Sequence, residues 1–174
     1  MLGRYENFPQ NIHGLARFSY RASAKKVQWA VASALYRLSQ GKFRLKEIGY
    51  SSPAECEVGF EFGVGEEVSF TFLDEGEVKR LELAIGKEVL AFLDFLCALR
   101  YHLFDGTDRR ALKFDYYLLR FAFAGNSMEF FVSHERGPRR VDVEDLIVFL
   151  AERVRKELAE RYSVFLKLES VRAV

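Results

Sequence analysis

Three histidines, His13, His102 and His134, could act as bases, acids or metal ligands. They stand far apart, and no His-Glu-x-x-His or paired Cys-x-x-Cys accompanies them. The densest group is His102-Leu103-Phe104-Asp105-Gly106-Thr107-Asp108, which places one imidazole and two carboxylates within seven residues. His102, Asp105 and Asp108 could build a metal or acid–base centre, although Asp and Gly after an apolar run also make an ordinary loop. Gly86-Lys87 lacks the upstream glycine of a phosphate-binding loop, because position 81 is Leu81. Gly63-Val64-Gly65 reads as a hairpin turn, without the strand-to-helix context of a dinucleotide fingerprint. Gly49-Tyr50-Ser51-Ser52-Pro53 lacks the second glycine of a nucleophile elbow. Asp94, inside an apolar run, needs a partner such as Arg100 if it is buried. No reaction class follows. No catalytic residue, metal ligand or cofactor is assigned, and an enzyme or small-ligand protein using His102, Asp105 and Asp108 is the secondary reading.

Binding chemistry is the stronger signal. The formal net charge of +1 over 174 residues is a cancellation. Residues 1–50 carry nine basic and two acidic side chains, a net of +7, and residues 51–100 carry four and eleven, a net of −7. The remainder, 101–174, carries thirteen and twelve. Such asymmetry points to interaction surfaces. The basic end also holds aromatics at helical spacing, with Lys26, Trp29, Ser33, Tyr36, Arg37 and Gln40 forming a second stripe beside an apolar one. Lysine and arginine neutralise phosphates while Trp or Tyr stack on bases, the arrangement used for single strands. Arg17, Arg21, Lys25, Lys26, Trp29, Tyr36, Arg37, Lys42, Arg44 and Lys46 are therefore the candidate residues for nucleic acid or an acidic protein. Two other uses compete for the same charges. The basic residues can pair with Glu55, Glu57 and Glu61 on a neighbouring strand, or the two charged faces can meet across a homodimer interface. A smaller basic group, Arg136, Arg139 and Arg140 around Gly137-Pro138, marks a turn, with Arg109 and Arg110 in another loop; solvated turns account for both.

The elements that must position these residues follow from periodicity. Ile12 to Arg21 alternates as a strand. Ser23 caps a helix with Val27, Ala30, Val31, Ala34, Leu35 and Leu38 on one face, ended by Gly41. Residues 43–48 form a short strand closed by the turn Ser51-Ser52-Pro53. Cys56, Val58, Phe60 and Phe62, then Val68, Phe70 and Phe72, form a hairpin around Gly63-Val64-Gly65. Val78 to Ala84 reads as a strand, with a helix from near Glu77 as the alternative. Lys87 to Phe104 reads as a helix apolar almost all round. Lys113 to Phe123 and Met128 to His134 form a second hairpin around Gly125-Asn126. Arg139 to Val143 is a short alternating piece, Asp142 caps a helix through Tyr162, and Val164, Leu166 and Leu168 close the chain as an edge strand.

Grouped strands and helices define an α+β class: one domain over 1–174, antiparallel sheet and three helices. The order is β-α-β-β-β-(β)-α-β-β-(β)-α-β. A basic strand–helix opening (1–50) precedes two stretches, 51–104 and 111–162, that resemble a degenerate repeat of hairpin, short strand and helix, before a closing strand (163–174). In that repeat Lys79-Arg80-Leu81-Glu82-Leu83 answers Arg139-Arg140-Val141-Asp142-Val143, and Leu90-Ala91-Phe92-Leu93 answers Ile147-Val148-Phe149-Leu150.

Composition bounds the rest. With 49% hydrophobic and 29% charged residues, disorder and collagen-like structure are excluded. Cys56 and Cys97 sit in apolar settings and are expected as buried thiols in a reducing cytoplasm. No signal-peptide core or membrane span is read from the sequence, so no membrane partner is expected. Three Asn, three Gln and two Thr against 17 Arg and nine Lys is the bias of a thermophilic, archaeal source. The order of strands and helices is loosely similar to that of Whirly-type single-strand binders, which repeat a sheet-plus-helix unit. That likeness implies single-stranded nucleic acid as partner.

Overall fold

The computed structural model describes residues 7–49 and 55–174. The first strand, β1 (Gly14–Tyr20), turns Ala16, Phe18 and Tyr20 into the core, and α1 (Ala24–Ser39) buries its whole apolar stripe from Val27 to Leu38. Ser23 is extended at the cap position, but its hydroxyl makes no capping bond. The strand expected over 43–48 is half strand, β2 (Lys42–Arg44), and half a single 3-10 turn (Leu45–Ile48) ended by Gly49 at φ 111°. The turn expected at Ser51-Ser52-Pro53 lies outside the described residues. The first hairpin pairs β3 (Glu55–Glu66) with β4 (Ser69–Phe72). Its strand runs on through Gly63 and Gly65, which pair with Phe72 and Phe70, so the turn falls at Glu67-Val68 instead.

One open assignment takes its helical alternative and a second is reversed. Val78 to Ala84 belongs to a helix, α2 (Glu75–Lys87), whose Asp74 carboxylate accepts the Glu77 N–H at 2.8 Å. Val78, Leu81 and Ile85 are its buried apolar residues, a helical spacing that the alternation of the same stretch concealed. The apolar run after it is no helix but the central strand β5 (Phe92–Asp105). It is buried on both faces over Leu93–Leu99, and a strand covered on both faces carries the continuous hydrophobicity of a buried helix. Next come β6 (Asp108–Ala111), β7 (Asp115–Ala124) and β8 (Ser127–Arg136), the last two joined at Gly125-Asn126 as expected. The short piece Arg139 to Val143 is not a strand but the loop leading into α3 (Val143–Tyr162); β9 (Leu166–Ala173) closes the chain. The repeat correspondences fall on unlike elements: helix against loop for 79–83 and 139–143, strand against helix for 90–93 and 147–150.

All strands among the described residues join one antiparallel sheet in the order β2-β3-β5-β7-β8-β1-β9, with β4 extending the β2 edge of β3 and β6 lying beside the far end of β5. Among the described residues nine strands and three helices make an α+β fold in one compact domain. The core lies between one sheet face and the helices, where α1 packs against both α2 and α3. Phe121 stacks on Phe130 at 4.2 Å, and Phe60 lies between Phe62 and Phe149 at 5.9 and 5.7 Å. On the outer sheet face Asp94 is buried against Arg120 rather than Arg100, in a two-pronged pair of 2.7 and 2.8 Å, with Phe92 over the guanidinium at 4.1 Å. Cys56 and Cys97 are buried free thiols. Among the described residues no helix is long and apolar enough to cross a membrane.

Candidate functional site

The ten N-terminal candidates do not gather on one surface. Arg17 on β1 pairs with Glu129 at 3.1 Å, and Arg37 with Glu157 at 3.5 Å. Lys42 and Arg44 on β2 reach Glu57 and Glu55 of β3 at 3.6 and 3.2 Å, the cross-strand pairing that competed with a binding role. In the sheet order β2 stands five strands from β1, roughly 24 Å at about 4.8 Å per strand. Lys25 donates to the Gly86 carbonyl at 2.8 Å, at the end of α2, and Lys26 lies over the Tyr162 ring. Trp29 donates its indole N–H to the Glu82 carbonyl at 3.1 Å and stacks on Tyr162, while Tyr36 is half-buried against the core. Among the described residues only Arg21 and Lys46 of the ten lack a side-chain partner or a core contact. His102, Asp105 and Asp108 lie in the β5–β6 hairpin, where the two aspartates face each other at its exposed tip. Burial first, then the Arg109 charge, lowers the His102 pKa. No group of three His, Cys, Asp or Glu among the described residues could hold a metal ion.

A different constellation is assembled at the end of the sheet where β7 begins. Asp115 is fully buried. Its Oδ2 accepts from the Tyr101 hydroxyl at 2.6 Å and from the Arg140 amide at 2.9 Å. Its Oδ1 accepts from His134 Nε2 at 2.9 Å and from the Arg139 amide at 2.6 Å. Burial by itself would raise the carboxyl pKa; the four donors outweigh it and hold the pKa below its ordinary value. The strands supply Tyr101, Asp115 and His134 because each faces the helix layer at the same end of β5, β7 and β8. The two backbone donors exist because Arg139 takes a left-handed conformation, φ 54°, which lets successive N–H groups converge on one anion. Gly137 is required at φ 114°, since a Cβ there would run into the Phe114 carbonyl and the Asp115 carboxylate.

Two further contacts frame the cluster. Tyr117 donates to the Val141 carbonyl at 2.9 Å, and its ring meets His134 edge-on. The His134 amide donates to His13 Nδ1 at 2.9 Å, which brings two of the three histidines together. Burial, then Arg139 and His134, lowers the His13 pKa, so that imidazole is neutral at pH 7.

What the cluster clamps is an arginine loop, residues 136–141. Arg136 lies over the Tyr116 ring at 4.8 Å, Tyr116 stands 6.0 Å from Phe114, and Arg140 lies over Tyr101 at 5.8 Å. Lys113, Arg136, Arg139 and Arg140 form no ion pair among the described residues, and the buried Arg140 Nε has no hydrogen-bond partner. Sequence reasoning marked these arginines as a solvated turn and missed Tyr101, Asp115 and Tyr117. Gly137-Pro138 between arginines was the available signal; the carboxylate that holds the loop lies 24 residues upstream of Arg139.

Fold and site define a single-sheet α+β protein with a buried carboxylate holding a basic loop. No protein-family model, curated protein or solved structure matches the chain.

Proposed function

We propose that the protein binds nucleic acid, and that the phosphate contacts come from the loop of Arg136, Arg139 and Arg140 together with Lys113, not from the N-terminal strand and helix. The observation that carries this reading is the contrast in pairing. Eight of the ten N-terminal candidates are engaged by carboxylates, carbonyls, rings or the core of the same chain, whereas among the described residues no carboxylate pairs with the side chains of the loop cations, of which Arg136 and Arg140 lie over tyrosine rings. A guanidinium presented by a backbone already fixed loses little freedom on meeting a phosphate. Intramolecular pairing between β2 and β3 also uses up the charge complementarity that would have favoured a dimer.

Anisotropy of a labelled oligonucleotide over a salt series tests the reading. Binding should weaken linearly in log salt, with a slope near −0.7 per phosphate contacted on a single strand. The double variant Arg136→Glu, Arg139→Glu should lose binding by at least a hundredfold. Lys25→Glu with Lys26→Glu should leave it within about threefold. The reverse ranking of the two variants, or no binding at low salt, would overturn the assignment.

A further inference from the structure

This inference rests on the nucleic-acid reading above and carries it to the kind of strand that is bound. In β5 the odd-numbered residues from Leu93 to Tyr101 enter the core, so Ala98, Arg100, His102 and Phe104 face the opposite side of the sheet. The register sets Tyr116 opposite Ala98, Arg136 opposite Tyr116, and Arg109 opposite Phe104. Two arginine–aromatic pairs therefore share the outer face, Arg136 over Tyr116 at 4.8 Å and Arg109 over Phe104 at 5.8 Å. Six residues of β5 separate Ala98 from Phe104, roughly 20 Å at about 3.3 Å per residue. Between the pairs runs the segment joining β6 to β7, tied to β5 by the Leu112 amide on the Tyr101 carbonyl. It carries Lys113, which is exposed, and Phe114, half-buried and 6.0 Å from Tyr116. Of the carboxylates near this face, Glu57 pairs with Lys42 and Arg109 and Glu61 with Arg100, while Glu135, next to Arg136 in sequence, accepts from the Ser133 hydroxyl.

Alternating cations and half-exposed rings along some 20 Å suit a chain that offers phosphates and bare base faces in turn. A duplex stacks its bases on one another and could meet only the cations. We infer that the partner is a single strand, whose bases stack on Tyr116, Phe114 and Phe104 while its phosphates meet Arg136 and Lys113.

The test uses the whole chain and four fluorescein-labelled probes of equal length: oligothymidylate, oligouridylate, an abasic single strand and a duplex. Either base-bearing single strand should bind at least tenfold tighter than the duplex and the abasic strand. Tyr116→Ala and Phe104→Ala should each weaken single-strand binding roughly tenfold, with unchanged thermal melting showing that the fold is intact. Tyr116→Phe, which keeps the ring, should bind as the parent does. Should the duplex and the abasic strand bind as tightly as oligothymidylate, with Tyr116→Ala without effect, the single-strand inference falls; loss of all binding in the Arg136→Glu, Arg139→Glu variant would then leave the nucleic-acid reading standing. If none of the four probes binds at low salt, both fall together.

Discussion

Asp115 is a carboxylate without solvent contact, and its four donors come from two side chains and two consecutive amides. Hydrogen bonds to a charged group contribute roughly 1.5–3 kcal/mol each, and orphaned buried donors cost a comparable amount. Asp115→Asn puts an N–H₂ where an acceptor is needed, so at least two donors lose their partner. The expected loss is about 3 kcal/mol or more, which for a chain of this size lowers Tm by roughly 6–12 °C. The same carboxyl sets an acid limit. Its folded pKa lies below the unfolded one, so its contribution is fully present above about pH 4 and fades as pH falls from there towards the folded value. Calorimetry between pH 3 and 7 should show the parent losing stability below about pH 4 more steeply than the Asn variant. Parallel curves, or a Tm change under about 2 °C at pH 7, would show that the loop holds itself without Asp115.

At the scale of elements, what could be read from the pattern was what local spacing encodes. The faultless i, i+3, i+4 series of α1 and the Gly125-Asn126 turn fall where expected. Residues 78–104 do not, because their identity depends on what covers them. Asp94, Leu96 and Ala98 on the outer face of β5 are as buried as its core-facing residues, which erases the two-residue period. The site was legible only in its parts: an arginine turn and two histidines were visible, but three segments far apart in sequence, at Tyr101, His134 and Arg139-Arg140, converge on Asp115. The boundary between α2 and β5 is itself set from outside. Gln28 of α1, completely buried, donates to the Leu90 carbonyl at 2.7 Å and accepts the Leu90 amide at 3.2 Å, serving the connecting segment as a neighbouring strand would. Gln28→Leu fills the same space but strands both groups, and should cost roughly 2–3 kcal/mol. Urea titration measures the loss, and hydrogen exchange at the Leu90 amide should accelerate. An unchanged exchange rate would mean that the α2–β5 junction is held some other way.

For the molecule as a whole, the near-zero net charge conceals neutralisation within one chain. The basic opening segment meets carboxylates on β3, β8 and α3, and the loop cations Arg136, Arg139 and Arg140, with Lys113, lie at the sheet end where β7 and α3 begin. Closure of the sheet is equally non-local. β1 lies between β8 and β9, so both its neighbours come from the far end of the chain. Removing residues 165–174 takes away β9 and turns β1 into a free edge without charges at every other position to guard it. The shortened chain should self-associate in size-exclusion chromatography and melt lower; a monomer with the parental Tm would show that β9 is dispensable.

That placement also orders events in time. Once β1 has been made it has no strand partner until some 110 further residues have left the ribosome, and its second partner, β9, follows α3. Until then Ala16, Phe18 and Tyr20 can be sheltered only by the neighbouring helix α1 or by a chaperone. Incorporation of β1 into the sheet therefore waits on β8 and β9 rather than on the helix next to it in sequence.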